Sequence, residues 1–155
     1  MKKPVLLLLL GLLAGCATPP KTQTPIPSTA QEAGFESLLL WKSETASSNI
    51  VESIEKQIGF TQQGNFYKVD VPFNLFGCPA EYVGLLGVEL LAGPNAVVKA
   101  SPSGVAEEIR SRYGLKFKRN GGARMATLGK DLTLYIFPHP NLSGRSIIIG
   151  SYEGP

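Results

Sequence analysis

Two ten-residue stretches, 51–60 and 106–115, constrain the fold more than any other part of the chain. Val51-Glu-Ser-Ile54-Glu-Lys-Gln-Ile58-Gly59-Phe60 sets beside Ala106-Glu-Glu-Ile109-Arg-Ser-Arg-Tyr113-Gly114-Leu115 at an offset of 55, with Glu, Ile and Gly identical and the apolar positions matched. In the first, Ile50, Val51, Ile54 and Ile58 fall at helical spacing, Asn49 can cap with Glu52 three residues on, and Gly59 supplies the left-handed stop. The second opens with Ser101-Pro102, a capping side chain and a proline at the first helical position; Val105, Ile109 and Tyr113 then line one face and Gly114 closes it. The pair reads as an internal duplication of a helix-plus-strands unit, or as two unrelated amphipathic helices alike only because glycine stops both. Both readings lead to an α+β domain with two helices on one face of an antiparallel sheet.

The strands come from period two and from turn chemistry. Tyr67, Val69, Val71, Phe73 and Leu75 alternate with Lys68, Asp70, Pro72 and Asn74, which predicts one half-buried strand over 67–75, with Pro72 hinting at an edge or a bulge. Gly77-Cys78-Pro79 should break it, and 82–91 resumes as a more buried strand. A third short strand is expected over 96–100. Residues 124–128 and 132–137 flank Gly129-Lys130, a pair suited to a two-residue type II′ hairpin turn, and 146–152 makes the last strand. The run from Phe35 to Trp41 is apolar but too short for its period to decide between helix and strand.

The first sixteen residues carry an address. Lys2 and Lys3 give a positive start, an apolar run follows that is broken only by Gly11, and Leu13-Ala14-Gly15 leads into Cys16. The run is too short to span a bilayer, which takes about 20 apolar residues. Leu13-Ala14-Gly15-Cys16 resembles the lipobox of bacterial lipoproteins. That resemblance implies a signal peptide over 1–15, a diacylglycerol thioether on the Cys16 thiol, cleavage between Gly15 and Cys16, and acylation of the new α-amine, commonly with palmitate. With Ala17 rather than Asp after the cysteine, it also implies the outer membrane, with the chain facing the periplasm. Two or three acyl chains, at about 0.8 kcal/mol per buried methylene, hold a protein in a membrane far longer than one chain does.

Residues 16–33 read as the lipidated cysteine and a tether. Pro19, Pro20, Pro25 and Pro27 stand among threonines and serines with Ile26 as an isolated aliphatic, a composition that predicts an extended spacer reaching on the order of 45 Å. Residues 34–155 are enough for one domain. Without Lys2 and Lys3 the chain carries 13 basic against 12 acidic side chains, so nothing global suggests nucleic acid. The distribution is uneven: 32–108 holds ten acidic and four basic residues, 110–153 eight basic and two acidic. The two halves can pack so that their charges intersperse. Alternatively Arg110, Arg112, Lys116, Lys118, Arg119 and Arg124 form a basic face for lipopolysaccharide phosphates or an acidic partner.

A helix ending in Tyr113-Gly114, a basic loop, a hairpin and a last strand closing on Ile149-Gly150-Ser151-Tyr152 resemble the tail of small helix-strand-strand repeat lipoproteins. More distantly, residues 46–152 are similar to the SmpA/OmlA family of outer-membrane assembly lipoproteins, which includes BamE, and to the β-lactamase-inhibitor-protein fold. The resemblance implies binding or assembly rather than catalysis, and no partner-binding position carries over. The inventory agrees with a non-enzyme. His139, the only histidine, sits between two prolines, and Cys78, the only thiol besides Cys16, has no neighbouring charge in sequence that would stabilise a thiolate. An envelope hydrolase using Cys78 or His139 is the rival reading. One histidine and no cysteine cluster leave no zinc site, and no cofactor is expected. The expectation is a membrane-held binding, assembly or inhibitor module with a protein partner in the envelope.

Overall fold

The computed structural model describes residues 29–42, 60–85 and 93–152. They form α1 (Ala30–Leu39), β1 (Phe60–Gln63), β2 (Phe66–Val69), β3 (Asn74–Leu75), β4 (Cys78–Gly84), β5 (Asn95–Val98), α2 (Pro102–Tyr113), β6 (Lys118–Asn120), β7 (Ala123–Gly129), β8 (Leu132–Pro138) and β9 (Ser146–Tyr152). The predicted helix over 51–58 lies outside the described residues, as does the far end of the strand expected over 82–91.

Every strand pairing is antiparallel, and the order is β1-β2-β4-β5-β9-β8-β7-β6, with β3 added to β4. The fold is therefore α+β and mostly sheet. Side chains at paired positions share a face, so the register sorts the sheet into two sides. Tyr67, Val83, Ala96, Ile148, Ile136 and Arg124 make one row across it; Leu134 and Gly150 belong to the same side. Helices α1 and α2 cover that side. Phe35 and Leu39 of α1 and Val105 and Ile109 of α2 are buried in one cluster with Val83, Val98, Leu134, Ile136 and Ile148.

Helix α2 has the predicted limits. Ser101 Oγ accepts from Gly104 N at 3.2 Å, Pro102 opens the first turn, and Gly114 takes the left-handed conformation at φ 69°. Helix α1 decides one open alternative and moves one boundary. The ambiguous run is helical, and the helix starts at Ala30, inside the stretch read as tether. A capping box explains both: Thr29 Oγ1 accepts from Glu32 N at 3.2 Å, and Glu32 Oε2 accepts from Thr29 N at 2.7 Å.

Helix α1 also breaks the strand predicted over 67–75. β2 ends at Val69, and the pairing resumes only as the two-residue β3. The backbone between them turns toward α1, because Glu32 Oε1 accepts from Asn74 N at 2.5 Å and Glu36 Oε1 accepts from Phe76 N at 2.6 Å. The break expected at Gly77-Cys78-Pro79 is a tight turn instead. Phe76 and Gly77 adopt positive φ, and β4 starts at Cys78 with Pro79 inside it. In the hairpin from β7 to β8, Gly129 pairs with Leu132, so Lys130 and Asp131 are the central residues. The left-handed residue is Asp131, at φ 59°, and not Gly129; Asp tolerates that region because its short polar side chain bonds locally. The basic stretch read as a loop contains β6, which turns through Gly121-Gly122 into β7.

Candidate functional site

The side of the sheet away from α1 and α2 is the first candidate surface. Register places Met125, Tyr135, Ile149, Asn95, Gly84 and Phe66 in one row across it, and Phe137, Ile147, Val97, Tyr82 and Lys68 in the next. Val97 and Ile149 at its centre are buried, while Phe66, Tyr82, Met125, Tyr135, Phe137 and Ile147 are half-buried. The rings of Tyr135 and Phe137 stack at 5.5 Å and 13°. Beside them a cavity of about 230 Å³ opens among Phe66, Tyr82, Val97, Ile147, Asn95, Gln63 and His139. The sequence reading missed this face, although a signal was present. Tyr135-Ile136-Phe137, Ile147-Ile148-Ile149 and Ala96-Val97-Val98 are apolar without alternation, the pattern of strands in contact on both sides.

Its rim is charged. Glu81 sits at the irregularity in the β4–β5 pairing; it accepts from Arg145 Nε and, at 3.1 Å, from Arg145 Nη2, with Lys99 Nζ at 3.4 Å. The guanidinium of Arg145 holds the Glu81 carboxyl below the usual glutamate range, against the opposing effect of burial. Where the chain leaves β2, a notch of about 550 Å³ opens toward Lys68, Asp70, Glu81 and Lys99, with Lys68 paired to Asp70 at 2.8 Å.

The six basic residues predicted as one face separate. Arg110, Arg119 and Arg124 meet around a cleft of about 300 Å³, together with Ser103, Ala106, Glu107 and Phe117. Arg112 turns inward, its side chain 11 % exposed and 4.0 Å from Glu108. Lys118 pairs with Met125 and so belongs to the opposite side of the sheet, and Lys116 is exposed in the segment before β6.

Cys78 and His139 do not come together. Cys78 is 6 % exposed in the cluster beneath the helices, and burial, followed by the Glu108 carboxylate, pushes its thiol up to about 11. A thiol held protonated is a poor nucleophile at neutral pH. His139 lines the cavity on the other side of the sheet, where its Nδ1 accepts from Asn141 N at 3.2 Å. Among the described residues no three His, Cys, Asp or Glu side chains gather as metal ligands, and no helix is long and apolar enough to cross a membrane. Cys16 lies outside the described residues. No protein-family model matches the chain, and neither a curated protein nor a solved structure is significantly similar to it.

Proposed function

We propose that the chain is a cell-envelope lipoprotein, anchored through lipid on Cys16 in the outer membrane and facing the periplasm, that acts as a non-catalytic binding, assembly or inhibitor module. The observation that carries the binding role is the side of the sheet opposite α1 and α2. Half-buried aromatic and aliphatic side chains gather there around a cavity, with Glu81, Lys99 and Arg145 at the rim. An apolar centre inside a polar rim is the composition of a protein-contact surface, and aromatic side chains dominate the energetics of such contacts. The address rests on Leu13-Ala14-Gly15-Cys16.

The strand order supports reading the domain as two halves. β1-β2-β4-β5 is followed by β9-β8-β7-β6, so two four-stranded runs meet in mirrored order at the β5–β9 pair. Hairpins turning at Gly64-Asn65 and at Gly121-Gly122 open the two runs. With α2 before the second run, and the sequence match between 51–60 and 106–115 falling before the first, this order supports a duplicated helix-plus-strands unit. A sheet built that way offers one continuous surface across both halves.

The test is site-specific photo-crosslinking in the living cell. A crosslinker at Phe137 or Tyr82 should join one envelope protein, and one at Ser111, exposed on α2, should not. Phe137→Arg should abolish co-purification of that protein while the domain stays folded, with a loss of about 1–2 kcal/mol from the stacking on Tyr135. Equal crosslinking from Ser111, or an unaffected complex in Phe137→Arg, would reject this surface.

A further inference from the structure

The geometry points to a phosphate-binding site in the cleft between the first half of α2 and the β6–β7 hairpin, with Arg110, Arg119 and Arg124 as the clamp. It stands independently of the sheet-face reading, because it lies on the helix side of the molecule.

Arg119 and Arg124 are direct cross-strand partners. Like charges placed opposite one another in an antiparallel pair repel, and Arg110 from α2 brings a third guanidinium to the same cleft. Glu107 is the one carboxylate among the described lining residues, and it is paired with Arg110 at 2.6 Å. Among the described residues two positive charges therefore remain uncompensated in one concavity, matching a phosphomonoester dianion.

Each guanidinium is held in place. Arg124 donates from Nη2 to Ser103 Oγ at 2.8 Å and from Nη1 to the Ala123 carbonyl at 3.2 Å, and Arg119 donates from Nε to the Gly121 carbonyl at 3.1 Å. These bonds use at most two of the five N–H donors that each arginine carries. A fixed fork with donors remaining is the geometry that takes a phosphate oxygen pair. Half-buried Phe117 gives the cleft an apolar wall, which strengthens charge interactions beside it. Three arginines in one pocket, with Lys118 on the other side of the sheet, form a point site rather than a track along a nucleic-acid backbone.

A phosphate group can come from a soluble phosphoester or from a lipid headgroup, and two probes separate them. The purified full chain in neutral detergent is titrated with pyrophosphate and with a short-chain phosphatidic acid, using short-chain phosphatidylcholine as control and arginine side-chain NMR signals as readout. Saturable binding that weakens with salt is expected; a stronger response to pyrophosphate assigns a soluble ligand, and a stronger response to phosphatidic acid assigns a lipid one. Arg119→Gln with Arg124→Gln should weaken binding about tenfold or more, as loss of charge-assisted bonds does. Arg110→Gln, a change on the exposed side of α2 that leaves the hairpin intact, should weaken it too. The charge-matched pair Lys116→Gln with Lys118→Gln should bind as the parent does. No saturable response to either phosphate probe, an unchanged affinity in Arg110→Gln, or an equal loss in the lysine pair overturns the site.

Discussion

Glu32 and Glu36, which fall in the tether and in the undecided run of the sequence reading, are among the most buried polar side chains of the described residues, 5 % and 1 % exposed. They sit one turn apart on α1 and accept from the backbone of residues forty positions away, and Glu36 also accepts from the Tyr113 hydroxyl of α2. One side chain thus joins α1, the turn before β4 and α2. Glu36→Ala would leave the Phe76 amide and the Tyr113 hydroxyl without this acceptor, and a denaturant melt should show a loss of about 3 kcal/mol; Glu36→Gln, which keeps an acceptor, should lose less. Glu32 gives a pH signature. Burial raises its pKa, but the hydrogen bonds from Thr29 and Asn74 outweigh burial and hold it below the ordinary 4.5. A depressed folded value means the stabilisation is fully present above that ordinary value and is lost as the pH falls through the folded one. Melting temperature followed from pH 7 to pH 3 should therefore fall less steeply in Glu32→Gln than in the parent chain.

At the scale of elements, legibility tracked how local the cause was. Helix α2 could be bounded in sequence because Ser101, Pro102 and Gly114 act on their own neighbours. The hairpin from β7 to β8 was legible in position but not in its turn residue, since the register at Gly129 depends on the irregular pairing after Thr127. The strand over 67–75 was misread because its interruption is imposed by α1 through long-range hydrogen bonds. β6 was invisible because all three of its residues are exposed and polar, so no periodicity marks them. The seat of α1 on the sheet has one tight point. A Cβ at Gly150 would lie 2.2 Å from the Leu39 carbonyl oxygen, backbone against backbone. Gly150→Ala should push α1 off β9 and cost about 3 kcal/mol in a chemical melt, the upper part of the range for overpacking. A melt unchanged within error would show that α1 does not sit there.

For the whole molecule, the sheet separates two surfaces that the sequence merged into one amphipathic domain. The fold class follows from helix caps and strand alternation, and the helix-side core contains most of the residues that alternation pointed to. The side opposite α1 and α2 was not anticipated, because β5, β8 and β9 were read simply as strands and their uninterrupted apolar runs were given no separate meaning. The basic half was legible in composition, but its division into a three-arginine cleft, an inward Arg112 and an opposite-facing Lys118 depends on how α2 seats on the sheet and on which strand pairs with which. The function proposed for all of this depends on where the domain is held, and that depends on Cys16. The most direct measurement is the intact mass of the protein extracted from the cell envelope. The account predicts a chain beginning at Cys16 and heavier than residues 16–155 by a diacylglyceryl group, with or without a further acyl chain; a mass that retains residues 1–15, or one with an unmodified Cys16, would contradict it.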